Sequence, residues 1–455
     1  MTITELKSAS RLLRPGLGLK RWLIPTTLGL IIAGVGVGYF LSRLSLNNQM
    51  PAMGGYYWFI ALLLTIFGIG LSGYSLFQIN KRLLSAFLPQ QVSVGYVADQ
   101  VYRHRRPEGP KIVVIGGGTG LSTLLRGLKH HTDNITAIVT VADDGGSSGK
   151  LRRELGVLPP GDFRNCIAAL ADDEALTTQL FQYRFRSGEA LEGHSFGNLF
   201  ITAMAEVVGS FENALSESGR VLNIRGSILP STLTDVTLYA ELKEGAQTRK
   251  VKGESAIPEA KLPIERVYLE PDTPPAFPPA LQAILDADLI VAGPGSLYTS
   301  VIPNLLVAEL TAAIRASTAK KVYICNVATQ PGETDNYSLD DHIQAIENHT
   351  YLVDESLYYK DRINSPDILD STQGYLFNFV LANDNLHHII PDDMSHLQAI
   401  APPSNHNAPL HYEIIKRDII DEQAPWRHDT LKLANQLINW YKRENKRAFD
   451  NAYNL

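Results

Sequence analysis

Three glycine-rich turns, each placed where an apolar run ends, are the parts of this 455-residue chain best suited to chemistry. The first is Gly116-Gly117-Gly118-Thr119-Gly120, in KIVVIGGGTGLSTLL. The second is Asp143-Asp144-Gly145-Gly146-Ser147-Ser148-Gly149, in ITAIVTVADDGGSSG, and the third is Gly293-Pro294-Gly295-Ser296, in ADLIVAGPGSLYTSVIPNLL. Glycine lets backbone N–H groups approach a ligand closely, and a helix starting at such a turn aims its positive end at an anion. The amides of Gly117, Gly118, Thr119, Gly120, Gly145, Gly146 and Gly149, with the hydroxyls of Ser147 and Ser148, therefore suit phosphate groups. Gly293, Gly295, Ser296 and Ser300 suit a second phosphate or a sugar. Turn closure alone would explain one such loop; three in one chain favour a phosphorylated nucleotide.

The side chains around these turns narrow the chemistry. Asp143 and Asp144 follow the first loop at about the distance where a dinucleotide fold places an acidic ribose contact. They could equally share Mg²⁺ with ligand phosphates, which needs only one or two protein carboxylates, or close an Asx turn. In LPPGDFRNCIAAL, Asp162 is placed to cap the following helix, and the Arg164 fork suits a phosphate or carboxylate. In GHSFGNLFITAM, Asn198 reads as a base or sugar contact and His194 as a structural hydrogen-bonder. Ser195 directly follows His194, so the two are poorly placed to face one another, and no hydrolase triad is expected. Leu121 stands where the last glycine of G-x-G-x-x-G belongs, and no G-x-x-x-x-G-K-[ST] occurs at either early loop. These departures argue against an ordinary NAD dehydrogenase or a P-loop NTPase.

Positioning these turns requires a scaffold that brings strand ends together. Apolar runs at residues 111–115, 135–141, 237–242, 265–269, 288–292 and 321–326 read as strands, with helical patterns at 122–129, 196–208, 211–217, 278–287 and 304–317. This alternation predicts an α/β fold with a Rossmann-like, doubly wound, mainly parallel sheet. An inserted β layer is expected over about 225–270. Near the end of the chain, 375–381 reads as a strand and 426–445 as an amphipathic surface helix. Pro303 suits the first turn of its helix.

Ahead of this domain, residues 22–42 and 56–77 carry no charge, and each matches the about 20 residues a helix needs to cross hydrocarbon. Gly34 and Gly38 form a small-xxx-small pair that could pack the two helices together. Lys7, Arg11, Arg14, Lys20 and Arg21 precede the first segment, Lys81 and Arg82 follow the second, and only Arg43 lies between. The positive-inside rule then predicts a multi-pass protein of the plasma (inner) membrane, with both termini and the α/β domain in the cytoplasm. The expected organisation is a membrane hairpin over 1–82, a juxtamembrane linker over 83–110 and the nucleotide-binding α/β domain over 111–455. A net charge of −6 argues against a nucleic-acid partner. Cys166 and Cys325 both sit beside apolar residues, which predicts buried thiols and no disulfide framework.

Five motifs in order, IGGGTGLSTLLRGLK, VTVADDGGSSGKLR, LPPGDFRN, GHSFGNLF and AGPGSLYTSVIPNLLV, closely resemble the bacterial gluconeogenesis factor family, itself related to the 2-phospho-L-lactate transferases of deazaflavin coenzyme synthesis. The resemblance implies a Rossmann-like fold that binds a UDP-sugar, notably UDP-N-acetylglucosamine. It further implies a regulator of cell shape and peptidoglycan synthesis during gluconeogenic growth, with a cell-wall or regulatory protein partner, a homo-oligomeric state and no catalytic residues. The ligand set would be Gly117–Gly120, Asp143–Gly149, Asp162, Arg164, Asn198, Gly293, Gly295 and Ser296, with Asp143 and Asp144 as the metal candidates. The alternative is a Mg-dependent transferase acting on a deazaflavin-type acceptor. The longer Asp-Asp-Gly-Gly-Ser-Ser-Gly loop and the Gly-Pro-Gly-Ser-Leu-Tyr-Thr-Ser loop depart from the transferase pattern, and weigh against that alternative.

Overall fold

The computed structural model describes residues 20–45, 56–87, 109–172, 174–361, 375–387, 390–391, 394, 396–403 and 412–453. The chain divides into two compact units, Met1–Arg106 and Pro107–Leu455.

The first unit holds α1 (Lys20–Ser45) and α2 (Tyr56–Phe87), of which Arg21–Gly38 and Phe59–Ile79 are long and apolar enough to cross a membrane. Their outer faces are apolar, with Leu30, Ile31, Ile66 and Phe67 exposed, while Thr26, Ala61, Ser72 and Ser75 are buried between them. This inverts the soluble pattern and is the arrangement expected where lipid surrounds the pair and small residues let backbones meet. The seam does not use Gly34 and Gly38, as the small-xxx-small spacing suggested; both have open space where a side chain would stand. It uses Gly29, Ala33 and Gly36 instead. A Cβ on Gly29 would lie 2.5 Å from Ser72 Oγ, one on Gly36 2.8 Å from Ala61 O, and one on Gly68 2.5 Å from Ala33 N. Residues 29, 33 and 36 share one helical stripe, and residue 34 lies about 100° around the axis from 33. α2 also runs on to Phe87, beyond the uncharged stretch.

The second unit is built on seven parallel strands. In chain order they are β1 (Ile112–Gly116), β2 (Ile135–Val139), β3 (Ser227–Pro230), β7 (Leu289–Ala292), β8 (Lys320–Ile324), β9 (Phe379–Asn383) and β10 (Glu413–Arg417). Their spatial order is β10-β9-β8-β7-β1-β2-β3. Every residue of β1 and β7 is buried, because helices cover both faces of a parallel sheet and such strands read as continuous apolar runs. Strand order reverses between β1 and β7, which pair Ile112 with Leu289 and Ile115 with Ala292. On the other side β1 pairs Gly116 with Val139. The three strands thus end level, and the loops leaving them share one rim.

The insertion is a three-stranded antiparallel sheet of β4 (Thr237–Glu244), β5 (Gln247–Lys252) and β6 (Ile264–Glu270), with β4 in the centre. It is narrower than the expected layer, because residues 227–230 join the parallel sheet as its edge strand β3. Helices over 196–208 and 211–221 follow their apolar periodicity. The helix expected over 304–317 is broken. A π-turn (Leu297–Val301) runs into α11 (Ile302–Leu305), which carries Pro303 in its first turn, and α12 (Ala308–Ala316) follows separately. Near the C-terminus, Trp426 belongs to a short strand rather than to the final helix, which starts at Thr430 after Asp429 caps it through Lys432 N at 2.7 Å. Cys166 and Cys325 are free and buried.

Candidate functional site

The first loop enters α3 (Gly118–Leu128) directly from β1. Gly118 has φ +66°, in the left-handed region where only glycine is free of strain. Gly120 touches the third loop: a Cβ there would lie 2.5 Å from Pro294 O and 2.9 Å from Gly295 Cα. Gly117 faces Asp162 and Ser300. Asn304, fully buried, ties the two loops by donating through Nδ2 to Gly116 O at 3.0 Å and Ser300 O at 2.7 Å.

The second turn differs from expectation in kind. Gly146–Gly149 are not loop but the first turn of α4 (Gly146–Leu155), with Gly145 as its N-cap. Glycine, serine and charged residues left no apolar period there to reveal a helix. Ser147 and Ser148 are buried and already engaged. Ser147 Oγ accepts from Ser195 N at 3.4 Å and lies 3.1 Å from His194 Nδ1, so its hydroxyl proton can go to that ring nitrogen. Ser148 Oγ accepts from Asn198 Nδ2 at 3.3 Å. His194 thus makes the structural hydrogen bond expected of it. Arg152 Nη2 reaches Asp235 and Val236 O at 2.5 Å, leaving this guanidinium a structural tie to the strand that follows.

Two further helices begin on the same rim. α5 (Gly161–Leu170) starts beside the second turn, where a Cβ on Gly161 would lie 2.5 Å from Ser148 Oγ and 2.6 Å from Asp143 Oδ2. α7 (Phe196–Val208) is capped by Ser195, which accepts from Asn198 N at 3.4 Å. Asp162 is not the cap expected of it: Pro160 holds that position, and the Asp162 carboxylate accepts from Gly118 N–H across the site. Arg164 Nη1 donates to Ser195 Oγ at 2.8 Å, whereas its Nε is buried with no partner among the described residues. Asn198 Oδ1 is left in the same condition.

The rim is acidic as well as amide-lined. Asp143 Oδ1 accepts from Gly145 N at 2.8 Å, and burial raises its pKa despite that bond. Burial, then the neighbouring Asp143, pushes Asp162 up to about 7. Glu333, buried under the third loop and bonded to Thr299 Oγ1 at 3.0 Å, is likewise pushed up to about 7 by burial. Burial, then Arg184, pulls Arg164 below the usual arginine range, while Asp162 and Asp143 hold it up. Asp144 turns to other partners: its Oδ1 accepts from Ser255 N and Ser255 Oγ, both at 3.0 Å. With both carboxylates of the Asp143–Asp144 pair engaged, and no cluster of three ligating side chains among the described residues, the pair is not a preformed metal cage. Mg²⁺ would fit only as an ion shared with the phosphates of a ligand.

The third loop is held rather than open. Gly293 is a turn glycine, φ +78°, whose Cβ would meet Ile324 O at 2.9 Å. Asn326 donates to Gly295 O at 2.9 Å, and Gln330 donates to Ser296 Oγ at 3.0 Å. Asn304, Asn326, Gln330 and Glu333 lay outside the sequence reading, since nothing local marks a polar residue whose partner lies on another strand. A cavity of about 460 Å³ lies away from this rim, along β3 between α8 (Phe211–Val221) and α10 (Pro278–Leu285), and none of the expected ligand residues lines it.

The profile of the 2-phospho-L-lactate transferase CofD family matches residues 112–386. The gluconeogenesis factor of Bacillus subtilis is 46% identical over 335 residues, which span 73% of this chain and 98% of that protein. A relative from Nostoc sp. is 44% identical over 442 residues, 94% of this chain and 92% of its own length. Among solved structures, a UPF0052 family member from Bacillus halodurans superposes with a TM-score of 0.62 at 40% identity, covering 73% of this chain and all of that one.

Proposed function

This chain belongs to the CofD family, among the gluconeogenesis factors, and from that premise we propose that it is a UDP-sugar-binding regulator tethered to a membrane by α1 and α2. The observation that carries the reading is the convergence of four helix N-termini, those of α3, α4, α5 and α7, at the point where strand order reverses. The positive ends of these helices favour negative charge, and open α/β sheets bind nucleotides in this crevice. Arg164 Nε, a buried donor without a partner among the described residues, supports an anionic occupant. Gly117–Gly120 and the first turn of α4 would hold the diphosphate. Asn198 and the third loop would hold the remainder. Asp162 and Glu333 are neutral for part of the time near pH 7, so the acidic rim repels a diphosphate less than a count of its carboxylates implies.

The basic residues flanking the two helices support a topology with both termini in the cytoplasm. Ligand binding would act by shifting the loops between arrangements with different affinity for a partner in cell-wall synthesis. Titration calorimetry of the purified protein with UDP-N-acetylglucosamine is the direct test. Saturable binding is expected, and no heat up to millimolar ligand would end the proposal.

The transferase profile supports a second reading, transfer of a phosphoryl-linked group from a phosphoanhydride donor onto a deazaflavin-type acceptor whose hydroxyl displaces the donor's other phosphate, with Asp143 and Asp144 as the residues that would hold Mg²⁺ to shield the anhydride charge. Here the helix N-termini and Arg164 would hold the donor in line with the acceptor hydroxyl. Product formed from a phospholactate donor by the wild type, and not by an Asp144→Asn variant, would favour it over the regulator.

A further inference from the structure

The inserted sheet does more than decorate the fold, because the connection between its strands β5 and β6 reaches the candidate site. Gly253 follows β5 with φ +99° and packs against Asp144 Oδ2, and Ser255 holds the same carboxylate through its N–H and its hydroxyl. Three residues on, Pro258 packs its carbonyl against Gly332. The segment 253–258 therefore bridges from the second turn to the chain beneath the third loop, and Glu254 lies between the two residues, Gly253 and Ser255, that meet Asp144. Glu254 is half-buried as a residue, yet its Oε2 is sealed from solvent and has no hydrogen-bond partner among the described residues. A buried acceptor left unpaired is destabilising unless a ligand supplies the donor. Burial raises its pKa well above the usual carboxylate range, and Asp162, Asp143, Glu333 and Asp144 add to the effect in that order.

A carboxyl group among other carboxylates is a poor contact for a phosphate. It suits a sugar, whose several hydroxyls each donate and accept and so meet a carboxyl group in either protonation state. Resting on the nucleotide-sugar reading above, we infer that Glu254 is the specificity-determining residue for the sugar, its free Oε2 accepting from a hydroxyl or amide of the glycosyl group while the helix N-termini hold the diphosphate. The insertion would then supply the part of the site that tells a nucleotide-sugar from a bare nucleotide.

The test is titration calorimetry of the full-length protein in detergent with UDP and with UDP-N-acetylglucosamine, for wild type, Glu254→Ala and Glu254→Asp. The wild type should prefer the sugar nucleotide. Each variant should lose affinity for it by about tenfold, the worth of one buried hydrogen bond of this kind, while its affinity for UDP holds. Glu254→Asp keeps the carboxyl but withdraws its oxygens by one methylene, so it reads the same loss should the Ala variant not fold. Equal losses for both compounds, or no loss for either, would overturn the assignment and leave the nucleotide-sugar reading standing. Failure of the wild type to bind either compound would remove that reading, and this inference with it.

Discussion

Asp162 shows how one side chain ties stability to ligand affinity. It sits in the first turn of α5, is buried, accepts from Gly118 N–H and has Asp143 as a neighbour. Its ordinary value is 3.8 and its folded value about 7, so between those limits the folded chain binds the proton that the unfolded chain releases. Stability is then greatest below about pH 4 for this group and falls as pH rises through 7, by roughly 1.4 kcal/mol for each pK unit of difference. An Asp162→Asn variant should lose this dependence. Its thermal midpoint should exceed that of the wild type at pH 8, and the advantage should shrink at pH 5. Affinity for an anionic ligand should follow the same course, weakening in the wild type above pH 7 and less in the variant. A midpoint difference that is the same at both pH values would show that Asp162 does not ionise over this range.

Among elements, the glycines divide into those that allow close approach and those that allow a turn. Gly120 lets α3 and the third loop touch, with Pro294 O 2.5 Å from where a Cβ would stand, whereas Gly146 has φ +45° and open space beside it. Gly120→Ala must separate two backbones, which cannot move away as a flexible side chain would. It is expected to destabilise the protein by more than about 2 kcal/mol and to lower ligand affinity at least tenfold. Gly146→Ala incurs only left-handed strain, about 1–2 kcal/mol, with a smaller effect on binding. Urea unfolding and calorimetry on the two variants would check the order, and a reversed order would mean that the loops are not held by this contact. Strands and long periodic helices were legible from sequence because burial on both faces, or on one stripe, writes itself into the apolar pattern. α4 was not, because its stability comes from packing and from the bonds of Ser147 and Ser148 to other elements.

At the scale of the whole molecule, the two compact units invite separation. The Bacillus subtilis relative is matched over 98% of its length by 73% of this chain, a share about the length of the second unit. Removing residues 1–106 should move the protein from the membrane fraction to the soluble one while leaving UDP-sugar affinity within about twofold, a change of only a few tenths of a kcal/mol. Persistent sedimentation with membranes would show that the second unit carries its own lipid contact, and a large loss of affinity would show that the site needs the first.

What the residues determined by themselves was local: apolar runs of strand and membrane length, glycines at strand ends, and hydroxyl and acidic groups beside them. These follow from steric freedom and from the cost of exposing apolar surface, both legible along the chain. Partnerships were decided only in three dimensions. Gly29, not Gly34, lines the helix seam. Asp162 faces Gly118 rather than capping its own helix. Glu254 arrives on the rim from an inserted sheet some hundred residues after the loops it faces. A pairing between distant residues depends on strand order and register, which no single stretch of sequence records.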